Sequence, residues 1–286
     1  MSIAYINGEY YNLEDAKVST FDRGFLFGDG VYEVIYIKNG GIYQFDEHLD
    51  RYFDSAKGLM LENYPGYDEL KELSEELMNK SEINEGLIYF QVTRGIAPRQ
   101  HDFPKNANPT IFAYIIPTYV EPEEEERRRT KGVKTILVPD ERWDRCYIKT
   151  INLIPNCIYK EKAKQEGAFE AIQVHETAGV TEGTSTSIFG IKDGVLYTAP
   201  EGKRVLPGVT RKTVLMLARE VGIPYEEVFL TKEELLNCDE VFLSSTSCRV
   251  MPINQIDMMS FEVSKYEITF MLQEKLDEYI EKNTKR

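Results

Sequence analysis

Side chains able to do chemistry gather in a few short stretches of this chain. Arg145-Cys146-Tyr147-Ile148-Lys149-Thr150-Ile151-Asn152-Leu153 places one lysine in a weakly charged run that passes from strand to helix. Such a stretch invites burial, which disfavours an ammonium and frees the amine for nucleophilic, Schiff-base chemistry; a plain surface lysine is the alternative reading. Val180-Thr181-Glu182-Gly183-Thr184-Ser185-Thr186-Ser187-Ile188-Phe189 sets one carboxylate before a run of hydroxyls and small residues. A β-turn accounts for that stretch equally well. Thr20 to Glu33 holds Gly24, Gly28 and Gly30 with Asp22 and Asp29 just ahead of a strand, the composition of a tight loop with positive φ angles. Between two predicted strands, Thr93 to Pro104 carries Arg99 and His101 two positions apart. In an extended loop both side chains point the same way, and an arginine fork accepts a carboxylate bidentately.

Other chemistries fail on spacing. His48, His101 and His175 stand far apart and no H-E-x-x-H occurs, so no metal site is expected. Gly28-Asp29-Gly30-Val31-Tyr32-Glu33 begins like a dinucleotide fingerprint, but Glu33 replaces the third glycine and a strand follows where a helix is needed. Gly183-Thr184-Ser185-Thr186-Ser187 lacks the closing glycine of a nucleophile elbow.

The elements that must position these residues read as α+β. Asn7-Gly8 predicts a hairpin within Ile3–Tyr11, Val31–Ile37 a strand, and Asn39-Gly40-Gly41 a turn to Ile42-Tyr43. A helix from Asp46 aligns Leu49, Tyr52, Phe53, Ala56 and Met60, and a second over Tyr67–Asn79 aligns Leu70, Leu73 and Leu77. Leu87–Thr93 and Thr110–Pro117 are strand-like, giving an antiparallel sheet with helices over it. Thr118–Gly132 is almost free of apolar residues and reads as a solvated connector, its glutamates facing arginines at i+3 and i+4. Three segments follow: 1–118, a connector 119–132, and 133–286. The last begins with strand Val133–Val138 and helix Leu153–Glu166, then strands at Ala168–Val174, Ser187–Ile191 and Val195–Tyr197. Helix Thr210–Val221 and the capping box Thr231-x-x-Glu234 come next, then strands Glu240–Ser244 and Arg249–Ile256 and a terminal amphipathic helix along Ile268, Leu272, Leu276 and Tyr279.

Composition limits the partners. Lys and Arg number 34 against 48 Asp and Glu, a net charge of −14 that repels phosphate backbones and anionic lipids. Nucleic acid and membrane are therefore not expected; an anionic small substrate needs a local basic pocket. The 4 cysteines form no C-x-x-C pair and read as reduced thiols. Residues 1–5 lack the charged and apolar regions of a secretion signal, so a cytoplasmic location is expected.

Taken together, the clusters resemble the class IV aminotransferases, pyridoxal-phosphate enzymes of fold type IV. The resemblance runs from about Tyr5 to about Ile256. It rests on Asp22-Arg23-Gly24 with Gly28-Asp29-Gly30-Val31-Tyr32-Glu33, on Glu47-His48-Leu49-Asp50-Arg51, on Lys149 with Asn152-Leu153, on Thr181-Glu182-Gly183, and on Leu206-Pro207-Gly208-Val209-Thr210-Arg211. It implies a small N-terminal α/β domain, a larger C-terminal barrel-like α/β domain, and a homodimer with the active site between the domains and a loop lent by the neighbour. It further implies pyridoxal 5′-phosphate on Lys149 as a Schiff base, Glu182 against the pyridine nitrogen, and the phosphate held by Arg51, the N–H groups of Val209 and Thr210, Ser245 and Thr246.

Pro98-Arg99-Gln100-His101-Asp102-Phe103-Pro104 is similar to the D-amino acid branch of that family, in which such an Arg and His form a carboxylate trap with the tyrosine matching Tyr32. The implied reaction moves the amino group of D-alanine, or another D-amino acid, to 2-oxoglutarate; the substrates are amino acids and 2-oxo acids. The branched-chain L-aminotransferases and the aminodeoxychorismate lyases are the alternatives within the fold, and a silent coenzyme-binding protein the alternative outside it. Arg94 is a further anion-binding candidate. Arg249, a cation just past Ser245 and Thr246, is less typical of the D-amino acid branch and leaves the exact substrate range open.

Overall fold

The computed structural model describes residues 3–117 and 120–284. Two compact units divide the chain: residues 1–118, 148–152 and 280–286 form one, and residues 119–147 and 153–279 the other. The expected boundary at 118/119 lies outside the described residues.

The first unit is built on an antiparallel sheet. β1 (Ile3–Ile6) and β2 (Glu9–Asn12) form the hairpin that Asn7-Gly8 predicts, with φ of 47° and 98° at the two turn residues. A single-turn helix, α1 (Arg23–Phe27), precedes the long strand β3 (Gly30–Lys38), which turns at Asn39-Gly40 into β4 (Gly41–Ile42). Helices α2 (Phe45–Gly58) and α3 (Tyr67–Ser81) follow, then β5 (Gly86–Thr93) and β6 (Thr110–Pro117). The strand order is β2-β1-β6-β5-β3-β4. Ile35 and Ile37 on β3, Ile88 and Phe90 on β5, Leu49 and Tyr52 on α2, and Leu70 and Leu77 on α3 are all but sealed from solvent. Each of the aliphatic and phenylalanine side chains among them contributes about 1.5–3 kcal/mol by leaving water.

The second unit opens with a departure from expectation. The acidic-basic stretch is a helix, α4 (Pro122–Lys131), with proline in its first turn, glutamates following and its basic residues at the end, the order the helix dipole favours. Glu124 pairs with Arg127 and Arg128 as the spacing predicts. The helix is nevertheless docked: Arg128 lies over Phe169, and Arg129 pairs with Asp277. After α4 come β7 (Val133–Pro139), α5 (Ile154–Gln165), β8 (Glu170–His175), β9 (Gly179–Gly183), β10 (Ser187–Lys192), β11 (Val195–Thr198), α6 (Val209–Glu220), β12 (Tyr225–Glu227), α7 (Lys232–Leu236), β13 (Glu240–Ser245), β14 (Arg249–Ile256), β15 (Met259–Ser260) and α8 (Ile268–Asn283). Nine strands make one mixed sheet in the order β12-β11-β10-β13-β14-β7-β8-β9, with β15 on β14. The sheet curls so that its last strand, β9, comes back beside β10, the barrel-like form expected of the larger domain. Its inner face packs Ile172, Val180, Ile188, Val241, Leu243 and Ile253, while Phe189 and Phe242 stack with centroids 4.6 Å apart. β9 and β12 escape a sequence reading because each is short and itself carries too few apolar residues to alternate. Among the described residues no helix is long and apolar enough to cross a membrane.

The strip 148–152 belongs to the first unit although its neighbours on both sides belong to the second. It extends the start of β3: Val31 bridges Thr150, the Tyr32 N–H donates to the Lys149 carbonyl at 3.0 Å, and the Ile151 N–H to the Gly30 carbonyl at 3.0 Å. Lys149, which sequence order assigns to the C-terminal domain, thus stands on the N-terminal unit.

Candidate active site

The inner face of α2 is polar along one edge. Leu49, Tyr52 and Ala56 are buried as the apolar period requires, but Phe53 is only half-buried and Met60 lies exposed beyond the helix. The face extends instead to His48, Arg51 and Ser55, spaced i, i+3, i+7, all buried. His48 and Arg51 meet Glu33 of β3, which is sealed from solvent. Arg51 donates from Nε to Glu33 Oε1 at 2.8 Å and from Nη2 to Oε2 at 2.7 Å, a bidentate pair, and His48 Nδ1 lies 2.8 Å from Oε2. Arg51 is therefore no surface arginine.

Burial opposes the charge on Glu33, but the Arg51 guanidinium and the hydrogen bonds from Arg51 and His48 outweigh it and hold its pKa far below the carboxylate range. For His48, burial is the largest influence and lowers its pKa; Glu33 pulls the other way, and the charges of Arg51 and Lys149 add to the lowering. The ring is neutral at pH 7. Because an ionised Glu33 only accepts, the His48 proton is assigned to Nδ1. The 3.2 Å from Arg51 Nη2 to that nitrogen is then a packing contact.

Lys149 is fixed through its backbone. Its N–H donates to Ser55 Oγ at 3.0 Å and its carbonyl accepts from Tyr32. The side chain is half-buried, with Nζ 4.3 Å from the centroid of the Tyr32 ring. Tyr32 in turn stacks on Tyr89 at 5.7 Å. Among the described residues Nζ makes no ion pair, so the amine is held in place by its neighbours yet committed to none.

Loop 99–103 and α1 form a second cluster on this unit. Asp22 caps α1 by accepting from the Gly24 N–H at 2.8 Å, and Gly28 closes it at φ 67°. Of the three glycines expected to need positive φ, only Gly28 does; Gly24 is required by close approach, since a Cβ would lie 2.3 Å from Thr93 Cγ2. Arg99 and His101 are exposed, and both lie on Phe27, at 5.2 and 5.9 Å. They point the same way, as their spacing predicts. Tyr32, the expected third member of the trap, sits with Lys149 and Tyr89 instead; among the described residues it has no hydrogen bond or ring contact with Arg99 or His101. Arg94 is spent on the fold, donating to Asp29 and to the carbonyls of Leu59 and Met60. Its anion-binding candidacy lapses.

On the second unit, β9 presents Glu182. Its Oε1 pairs with Arg142, and Oε2 accepts from the Leu206 N–H at 3.1 Å. Burial raises the Glu182 pKa from its ordinary value, with the Arg142 charge opposing. Arg142 is shared with Asp140, through Nε at 2.9 Å and Nη2 at 2.8 Å, and Thr181 donates to Asp140 at 2.7 Å. Arg142 carries no local signal of its role, because the carboxylate that marks it, Glu182, lies 40 positions away in the chain. The hydroxyls after Glu182 do not serve it: Thr184, Ser185 and Thr186 converge on buried Glu170.

The start of α6 is a separate polar cradle. No side chain caps it at Gly208, and the N–H groups of buried Val209 and Thr210 precede the first helical carbonyl partner. Those amides and the helix dipole favour an anion. A Cβ on Gly208 would approach Ser187 Oγ to 3.0 Å. Ser187 pairs in register with Ser244, whose buried Oγ has no partner among the described residues. Ser245 uses its hydroxyl in a local turn with Ser247 and Cys248, whereas Thr246 is half-buried at the turn. Arg249 pairs with Asp277 at 3.1 Å and with Glu125, so it brings no uncompensated cation to this end of the sheet.

Residues 30–256 match the family model for amino-transferase class IV. The D-alanine aminotransferase of Staphylococcus epidermidis is 42% identical over 286 residues, 99% of this chain and 100% of that protein. That of Bacillus licheniformis is 43% identical over 251 residues, 88% and 87% of the two chains. Among solved structures, the Escherichia coli branched-chain amino acid aminotransferase superposes with a TM-score of 0.89 at 25% identity, covering 99% of this chain and 96% of that one. The branched-chain aminotransferase of the thermophilic archaeon Thermoproteus uzoniensis, solved with norvaline, gives 0.83 at 25% identity, covering 98% and 95%. With the model spanning most of the chain and curated relatives spanning nearly all of it, this protein belongs to the class IV aminotransferases.

Proposed function

We propose that the chain is a cytoplasmic pyridoxal-phosphate aminotransferase that moves the amino group of D-alanine, and of other D-amino acids, to 2-oxoglutarate, yielding pyruvate and D-glutamate. The observation that carries the reading is the whole-chain likeness to D-alanine aminotransferases at 42%, against 25% for the branched-chain enzymes of the same fold. A fold is shared across such a family, and only the site residues separate its members.

The donor set fits the coenzyme. An unpaired lysine amine matches its aldehyde, a buried carboxylate its ring nitrogen, and an uncapped helix start with small polar neighbours its phosphate. When bound, pyridoxal 5′-phosphate supplies an aldehyde for the amino group and a ring that accepts electrons. Lys149 would hold the coenzyme through its Nζ, and as a free amine would be the base for the substrate's Cα proton. Glu182 would face the ring nitrogen and favour its proton, with the Arg142 charge opposing the burial that raises the Glu182 pKa. Arg51, the amides of Val209 and Thr210, Thr246 and Ser245 hold the phosphate, with Glu33 fixing the Arg51 guanidinium.

Arg99 and His101 bind the substrate carboxylate with the hydroxyl of Tyr32. On one chain the pair sits on Phe27 and Tyr32 sits under Lys149, so the trap closes when a second copy lends its loop. The exposed apolar side chains beside the pair, Phe21, Phe25, Ile96 and Phe103, suit burial in such a homodimer. The test is an enantiomer-resolved half-reaction. Excess D-alanine should convert the visible spectrum of the pyridoxal form to that of the pyridoxamine form; conversion by L-valine or L-leucine alone would assign the protein to the branched-chain group.

A further inference from the structure

Loop 98–108 has almost no regular hydrogen bonding of its own, yet it carries the two residues assigned to the substrate carboxylate. Beneath it lies a buried group that no role so far explains. Arg23, 3% exposed, donates from Nε to Asp29 Oδ2 at 2.6 Å. Its Nη1 donates to the carbonyls of Gln100 at 2.7 Å and Asp102 at 3.3 Å, and its Nη2 reaches the His101 carbonyl at 3.5 Å. Asp29 is itself gripped by Arg94, through Nε at 2.9 Å and Nη2 at 3.1 Å. The Arg94 guanidinium lies against the Phe103 ring, 3.5 Å from its centroid.

We propose that Arg23 is a positioning residue for substrate recognition: held by Asp29 and Arg94, it fixes the carbonyls of residues 100–102 and so aims Arg99 and His101 at the substrate carboxylate. This rests on the carboxylate role of Arg99 and His101 proposed above. The physical reason is directional. A guanidinium has donors in a rigid fork, so one carboxylate anchor on Nε sets where both other nitrogens point, and three consecutive loop carbonyls fall within that fork. Lysine keeps the charge beside Asp29, but its three donors radiate from one nitrogen on a flexible stem and cannot span Asp29 and the three carbonyls as the fork does. Arg94 supplies the counterweight. Without it Asp29 would be free to turn, and its stacking on Phe103 holds the far end of the same loop.

The test compares Arg23→Lys with Arg99→Ala and with the double variant, all as holoenzyme. Losing charge-assisted hydrogen bonds to the loop should raise KM for both D-alanine and 2-oxoglutarate on the order of tenfold. Coenzyme affinity and the thermal midpoint should stay near those of the parent, and the double variant should lose little beyond Arg99→Ala alone. If Arg99→Ala raises KM while Arg23→Lys leaves it unchanged, the positioning role falls and the carboxylate assignment stands. If Arg99→Ala leaves both KM values unchanged, that assignment falls and takes the positioning role with it. A drop in kcat, coenzyme affinity and midpoint with KM constant would make Arg23 a structural residue only. Should Arg23→Lys not fold, Asp29→Asn, which keeps the shape and removes the anchoring charge, is judged by the same three outcomes.

Discussion

Removing the arginine behind Glu182 should cost stability in a way that depends on pH. Arg142 has 8% of its side chain exposed, Asp140 3% and Glu182 8%. Arg142→Met keeps most of the volume, so the cavity contribution is small. Two buried carboxylates then lose the one cation that pairs with them among the described residues. Asp140 keeps two donors, the Thr181 hydroxyl and the backbone N–H of residue 142, and Glu182 keeps one, the Leu206 N–H. Breaking a buried pair from one side costs about 3–5 kcal/mol. Glu182 escapes part of this by taking a proton, since burial already raises its pKa above 4.5. A carboxyl whose pKa is raised by folding binds its proton more tightly in the folded state. It therefore withdraws stability as pH climbs from its unfolded value through the folded one. The loss in Arg142→Met should be full near pH 8 and smaller near pH 5.

Trp143, the single tryptophan, stands next to Arg142 on the second unit, so its fluorescence follows the unfolding of that unit in urea. A loss below about 1 kcal/mol at pH 8 would place the pair among weak surface ion pairs. An equal loss at pH 5 and pH 8 would show that neither carboxylate takes a proton when the arginine is gone, and the account of Glu182 fails. A cycle with Glu182→Gln isolates the coupling between the two residues.

Lys149→Ala should abolish turnover while the thermal midpoint moves little, because the amine's contact is with the Tyr32 ring, worth about 0.5–1 kcal/mol; a variant that keeps most of its rate points to another base. Glu33→Gln should lower coenzyme affinity at least about tenfold, since Arg51 loses its bidentate partner; equilibrium dialysis giving unchanged affinity would remove Arg51 from the phosphate site. Acid should destabilise the parent in two stages. His48, depressed by folding from 6.5, withdraws stability as pH falls below that value, and Glu33, depressed from 4.5, does so below its own. In Glu33→Gln the lower stage should shrink, as urea midpoints at pH 7.5, 5.5 and 4 will tell. Gly208→Ala, at an ordinary φ but 3.0 Å from Ser187 Oγ, should weaken coenzyme binding more than folding, read by dialysis beside a melting curve.

What the sequence makes legible follows the rule that produced each feature. Asn7-Gly8, Thr231-x-x-Glu234 and the alternating strands obey local rules, and each appears where those rules put it. Local rules also place Arg99 and His101 on one side of their loop, because alternation along an extended chain needs no tertiary knowledge. They do not reach what is decided by pairing at a distance. Arg249 looks like a loose cation in sequence and is answered from α4 and α8. The acidic-basic stretch lacks the apolar period of a buried helix, so it reads as a connector; its anchoring comes from Arg128 on Phe169 and Arg129 with Asp277, which no local window contains. The inner face of α2 shows why such failures collect at the site. A hydrophobic period scores His48, Arg51 and Ser55 as outward-facing, yet all three are buried. Burying them is tolerable only because Glu33 answers His48 and Arg51, and because Ser55 accepts from the Lys149 backbone. A fold with no chemistry to do would place apolar side chains at these positions at lower cost, so the polar edge of α2, beside the lysine it helps to fix, marks where stability has been given up for function.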